Sequence, residues 1–254
     1  AGVAVQLSVA AALVRPARDV TWVFYDNEEV EASRNGLGRM AGEHPELLHG
    51  SFAVLCEPTS ARIEGGCQGT MLLQVELTGV AAHSARAWMG HNAIHDAGGV
   101  LQRLASHQPE QIEVDGLTYH EGLNAVGITG GIAGNIIPDR CIVEVNYRFA
   151  PDKSAAQAEA YVREILAGYS VQILDVAAGA RPGLDQPAAA EFLRAVGGDA
   201  SAKLGWTDVA RFSSMGIPAV NFGPGDATKA HADDEFCPAE DVIACRSALL
   251  RWLS

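Results

Sequence analysis

The sequence predicts an α/β protein interrupted by a small inserted domain of ferredoxin-like (βαββαβ) order. Three observations predict it. Apolar, strand-like runs near the start end in polar loops that open helices. Near residue 67 the pattern changes to strand, helix, two strands, helix and strand. After residue 178 the first style resumes.

Each element has a local reason. Val3 to Leu13 is helical in period, with Val3, Leu7, Ala10 and Val14 expected on one buried face. Asp19 to Tyr25 (DVTWVFY) is β-branched and aromatic, which predicts a central strand. Asp26-Asn27-Glu28-Glu29 follows its carboxyl end, and Asn35-Gly36-Leu37-Gly38 opens a short helix. Phe52 to Leu55 is a second core strand ending in Cys56-Glu57-Pro58-Thr59. In the inserted part, Met71 to Leu77 alternates as a strand and His91 to Ser106 is an amphipathic helix. Ala125 to Thr129 and Cys141 to Phe149 are strands joined by a Gly-rich connection. Ser154 to Leu166 is a second helix and Ser170 to Asp175 a last strand. The closing part carries helix 187–196, strand 218–222 and helix 239–253. The expected division is 1–66 with 179–254 as one α/β domain, and 67–178 as the insertion.

Composition excludes several classes. With 48% apolar residues in 254, the chain can bury a large core and is not disordered. The 27 Gly and 11 Pro are scattered, which excludes a collagen-like repeat. Eighteen basic against 31 acidic residues give −13, a field that disfavours nucleic acid and anionic membrane as partners. No apolar run is long enough to span a bilayer. The five Cys form no C-x-x-C pair, and their odd number suggests reduced thiols in a cytoplasmic setting.

The chemistry concentrates at strand ends, where α/β proteins bind ligands. Glu28 and Glu29 are adjacent acids that repel unless a cation lies near. Alone, such a pair is more often an acidic loop capping the next helix. Glu57 adds a third carboxylate at the same sheet edge. His231, in Ala230-His231-Ala232-Asp233-Asp234-Glu235, follows a strand and a Gly/Pro turn. It reads equally as a surface histidine and as a metal ligand. Oxygen and imidazole donors together suit zinc, cobalt or manganese. Two decoys fall away. The Gly36-x-Gly38-x-x-x-Gly42 run sits behind Glu28, Glu29 and Glu31, which repel a pyrophosphate. No G-x-S-x-G elbow offers a serine nucleophile.

Taken in order, DNEEVEASRNGLG, the CEPT turn, GVAAHSARAWMGHNAI, GGIAGNIIPDR…NYRF and the terminal HADDEF resemble the dinuclear zinc amidohydrolases. That group includes aminoacylases, acetylornithine deacetylases and succinyl-diaminopimelate desuccinylases. The wording GCQGT, AHSARAWMGHNAIH and GWTDVARF is most similar to the actinobacterial type of the last. The resemblance implies a zinc-peptidase-like catalytic domain with an inserted lid that also dimerises the chain. It implies Glu28 as general acid/base, Glu29, Glu57 and His231 as zinc ligands, and cobalt as an alternative metal. His83 is implied as a lid histidine that reaches the neighbouring subunit's active site. Asn135, Arg148 and Thr207 are implied to contact a small-molecule substrate. The resemblance covers no His-x-Asp motif and no metal-bridging Asp. The expectation is therefore a zinc-dependent amide hydrolase whose chain, as given, starts inside the catalytic domain just after the bridging ligand; the alternatives are a related deacylase of the acetylornithine or carboxypeptidase type, and a non-catalytic fragment that dimerises through the lid.

Overall fold

The structure, a computed structural model, describes residues 1–29, 34–230 and 232–254. In chain order the elements are α1 (Gly2–Ala12), α2 (Gly36–Glu43), β1 (Ala53–Leu55), β2 (Glu64–Gly65), β3 (Gly69–Thr78), β4 (Ala82–His83), α3 (Ala93–Ser106), β5 (Gln111–Val114), β6 (Leu117–His120), β7 (Gly122–Gly130), β8 (Ile136–Ile137), β9 (Arg140–Phe149), α4 (Ala155–Ile165), β10 (Ser170–Ala177), α5 (Pro187–Val196), β11 (Ser201–Ala202), α6 (Val209–Ser214), β12 (Ala219–Asn221) and α7 (Ala239–Leu253). They gather into two compact units. The first is Ala1–Cys67 with Glu113–Thr118 and Ala180–Ser254; the second is Gln68–Ile112 with Tyr119–Gly179.

The second unit is a four-stranded antiparallel sheet in the order β10-β3-β9-β7. Its strands read as they do because side chains alternate between faces. Met71, Leu73 and Val75 in β3 and Val143, Val145 and Tyr147 in β9 are buried on one side. Two helices complete that core. Helix α3 supplies Ala93, Ala97, Val100 and Leu104 at helical spacing, and α4 supplies Ala158 and Val162. Asn92 caps α3 by accepting from the Ile94 and His95 amides, and Ser154 with Gln157 forms a capping box on α4. This is the βαββαβ order the sequence predicts. Inside the core, Glu121 is 4% exposed and accepts from the Tyr147 hydroxyl (2.9 Å), the Ala150 amide (2.7 Å) and Lys153 Nζ (2.8 Å).

The first unit holds a mixed sheet in the order β1-β12-β2-β11, with β1 and β12 parallel. Phe192, Phe222 and Leu249 pack with Val5 and Val9 of α1 in its largest apolar cluster. Two expectations are corrected here. Helix α1 forms, but it buries Val5 and Val9, while Val3 and Leu7 are more than half exposed and Val14 is 89% exposed. The helix is apolar on nearly every side, so its period cannot select a face. Asp19 to Tyr25 is not a strand either: none of its residues joins a ladder among the described residues. One edge of β1 is taken by β12, and a cavity of about 730 Å³ lies between β1 and this segment, lined by Val20, Trp22 and Val54 among others. The run sends Val20 and Trp22 to one apolar cluster and Val23 and Tyr25 to another.

Candidate active site

The site of the first unit is built where β1 and β12 end side by side. Parallel pairing sets Leu55 opposite Asn221, so Glu57 and Gly223 leave the sheet together. The approach is close enough that a Cβ on Gly223 would strike the Glu57 carbonyl oxygen. The Gly223 amide donates to Thr59 Oγ1 at 3.0 Å, which fastens the Glu57 turn to the segment that follows β12. The acidic loop reaches the same edge. Asn27 adopts φ 57°, a left-handed conformation that Asn tolerates, immediately before Glu28. The loop closes on itself, because the Gly36 amide donates to the Asp26 carbonyl at 2.9 Å. Asn35 then caps α2 through the Gly38 amide at 2.7 Å.

Electrostatics shows which acids share the site. Burial, then the Glu57, Asp208 and Glu29 carboxylates, raise Glu28 to about 7, with Arg211 opposing. Glu57 is also raised, first by burial; Lys203 pulls it down, and Asp208 and Glu29 push it up. Glu28, Glu29 and Glu57 are thus brought together, and all three line the 730 Å³ cavity. Glu28 is half buried while Glu29 is exposed, so the adjacent pair divides between interior and solvent. Carboxylate oxygens are hard donors that suit a divalent cation, which would offset both the burial and the mutual repulsion of Glu28 and Glu57. Among the described residues, no three His, Cys, Asp or Glu side chains converge as a metal-holding group. His231 lies outside the described residues.

The predicted residues of the second unit occupy two places. Strand β4 pairs with β8, setting His83 opposite Ile136, and the Ser84 amide donates to the Asn135 carbonyl at 2.9 Å. His83 and Asn135, both exposed, are therefore neighbours. The Ala85 amide donates to His83 Nδ1 at 3.1 Å. A neutral His83 then carries its proton on Nε2, leaving an outward donor. Arg148 lies elsewhere, opposite Thr70 and Gly122, while β8 leads into the Arg140 end of β9. The distance along β9 from Arg140 to Arg148 is about 26 Å, so the ladder does not bring Arg148 to Asn135. The Arg148 guanidinium is half buried, donates from Nε to Asn146 Oδ1 at 3.2 Å, and is lowered by burial.

Thr207 is 3% exposed and its hydroxyl donates to Asn221 Oδ1 at 3.0 Å, which ties it to the end of β12. The sequence reading missed the residue after it. Asp208 is fully buried, accepts from Asn35 Nδ2 at 3.0 Å and from Arg211 Nε, and lies near the Tyr25 phenol. Burial and that carboxylate keep the Tyr25 phenol protonated. Lys203 was also missed. It is 7% exposed, with Nζ at 2.8 Å from Glu64 and 3.3 Å from the Pro58 carbonyl. An Asp-x-x-Arg spacing in TDVAR hinted at the Asp208–Arg211 pair. Nothing local could announce Tyr25 or Asn35, which are far away in sequence.

Residues 66–172 match the peptidase dimerisation domain of the M20 type. A Mycobacterium tuberculosis relative carrying the name succinyl-diaminopimelate desuccinylase is 51% identical, covering 99% of this chain and 72% of that protein. The succinyl-diaminopimelate desuccinylase of Corynebacterium glutamicum is 43% identical, covering 100% of this chain and 71% of its own length. The structure of an M20 family metallo-carboxypeptidase from Sulfolobus solfataricus superposes with a TM-score of 0.64 at 15% identity. That match covers 85% of this chain and 66% of the carboxypeptidase, and it speaks for the fold alone.

Proposed function

Since the chain belongs to the M20 family of metallohydrolases, we propose that it serves hydrolysis of N-succinyl-LL-2,6-diaminopimelate to succinate and LL-diaminopimelate. This is a step in lysine and cell-wall synthesis. The observation that carries the reading is the crowding of Glu28, Glu29 and Glu57 at one sheet edge, with Glu28 raised to about 7. A carboxylate there takes and returns a proton near neutrality.

Glu29, Glu57 and His231 are the residues that would hold the metal, two zinc ions per site with cobalt as an alternative. When bound, the metal supplies Lewis acidity toward a water and the scissile carbonyl. Glu28 takes a proton from the water as its oxygen bonds to the succinyl carbonyl carbon. It returns that proton to the amine nitrogen as the C–N bond breaks. His83, acting from a partner chain through Nε2–H, donates to the developing oxyanion. Arg148 and Asn135 orient substrate carboxylates, a bidentate task suited to a guanidinium. The protein acts as a homodimer joined through its inserted unit, in the cytoplasm, where its free thiols suit a reducing compartment.

The test assays the zinc-loaded protein and its Glu28→Gln variant on N-succinyl-diaminopimelate and N-acetylornithine side by side. A hundredfold or greater loss in the variant, with preference for the succinyl substrate, is the expected result. Unchanged turnover by Glu28→Gln would remove the mechanism, and preference for acetylornithine would reassign the substrate.

A further inference from the structure

We propose that Asp208 is the positioning residue of the acidic loop, clasping both of its ends so that Glu28 and Glu29 stay at the sheet edge. The inference rests on the reading of those two acids as working groups. The loop departs from Tyr25 and returns at Asn35, the cap of α2. Both residues face the same carboxylate: Asn35 donates to it from Nδ2 at 3.0 Å, and the Tyr25 phenol lies close enough to feel its charge. Arg211 Nε fills the other oxygen, and Gly38 leaves room for its guanidinium, which a Cβ there would approach to 2.8 Å. Asp208 is 0% and Asn35 1% exposed, so water does not substitute for these partners.

Only an acceptor fits between the Asn35 amide, the Arg211 guanidinium and the Tyr25 phenol. A carboxylate offers two oxygens with room for all of them, whereas an amide turns an N–H₂ toward at least one. The backbone closure from Gly36 to Asp26 fixes the neck of the loop but touches neither Tyr25 nor the cap side chain. The carboxylate is therefore the tie between the chain before Glu28 and the chain after Glu29. Supporting contacts of this kind set the aim of the groups they carry, and their loss weakens metal affinity by ten- to a hundredfold.

The experiment compares the wild-type chain with Asp208→Asn, Tyr25→Phe and the exchange Asp208→Asn with Asn35→Asp. In the exchange, the residue-208 amide donates to the new carboxylate at 35, which still caps Gly38. Amide exchange is read at residues 25–29 and 34–36 and, as reference, in α7. Zinc affinity is measured by titration, and kcat and KM on N-succinyl-diaminopimelate. For Asp208→Asn we expect loop exchange about tenfold faster with α7 unchanged, zinc bound about 10- to 100-fold more weakly, and a kcat loss larger than the change in KM. Tyr25→Phe should show a smaller change in the same direction, and the exchanged pair should recover at least part of the loss. Wild-type loop exchange and zinc affinity in Asp208→Asn would overturn the proposal. So would equal loosening of loop and α7, or no recovery in the exchanged pair. If Asp208→Asn does not fold, Tyr25→Phe and the exchanged pair decide by the same criteria. A wild-type protein without zinc binding or turnover would count against the proposed function, while loop exchange would still judge the clasp.

Discussion

A working acid held near neutrality costs the fold something, and Glu28→Gln should return it. The wild-type carboxyl moves from 4.5 to about 7 on folding. Such a displacement corresponds to about 3.4 kcal/mol at full effect, from about 1.4 kcal/mol per pH unit. Glu28 is only half buried, so solvent screening reduces the expected penalty to about 1–2 kcal/mol. The sign follows from proton binding. Between 4.5 and about 7 the folded chain holds a proton on Glu28 that the unfolded chain has released. Stability therefore falls as pH rises through that window, and the penalty is complete above it. Glutamine carries no such charge. Without added metal, Glu28→Gln should match wild type near pH 4 and exceed it by about 1–2 kcal/mol near pH 8. Urea unfolding followed by tryptophan fluorescence suits the measurement, because Trp22, Trp206 and Trp252 lie in the first unit and only Trp88 in the second. A variant less stable than wild type near pH 8, or a difference independent of pH, would refute the reasoning.

Other expectations concern both units. Glu121→Ala strands the Tyr147, Ala150 and Lys153 donors in the second unit and should cost about 3–5 kcal/mol; amide exchange in β3 and β9 should accelerate accordingly, and an unchanged pattern would contradict the burial argument. His83→Ala should lower kcat about 10²–10³-fold with little effect on KM, as loss of one oxyanion donor does; steady-state kinetics of the zinc-loaded protein checks it. Lys203→Met removes the cation that pulls Glu57 down. Zinc should then raise the melting temperature more in the variant than in wild type, since the metal becomes the main compensation for that acid; differential scanning calorimetry with and without zinc compares them.

Much of the architecture was legible because it rests on local rules. The strands of the second unit show through strict alternation, and α3 through its spacing and its Asn92 cap. The acids of the site were legible as residue types at strand ends. What escaped depends on distant partners. Asp19–Tyr25 has every strand propensity, yet a ladder needs a neighbour, and propensity cannot supply one. Helix α1 lacks a polar face to set its rotation, so tertiary packing chose Val5 and Val9. The hairpin β5–β6 lies outside the predicted elements, although Asp115-Gly116, at φ 50° and 82°, is a strong turn signal. Asp208 looked like one acid among many until folding placed Tyr25 and Asn35 against it.

The insertion also has a kinetic consequence. Strands β1 and β12 must find each other across the whole inserted stretch before the first unit has its parallel pair. Closing the flexible loop of about 160 residues between them costs about 4.5 kcal/mol of chain entropy. The second unit, built mostly from its own contiguous chain, can fold first and shorten that loop to about 50 residues, lowering the cost by about 1 kcal/mol. Its ends leave at Cys67 and Ala180, which exchange backbone hydrogen bonds at 3.0 Å in both directions. Once the insertion is folded, the acidic edge is separated from its partners by a shorter tether. A Glu121→Ala chain should therefore fold its first unit more slowly, although the substitution touches none of that unit's contacts.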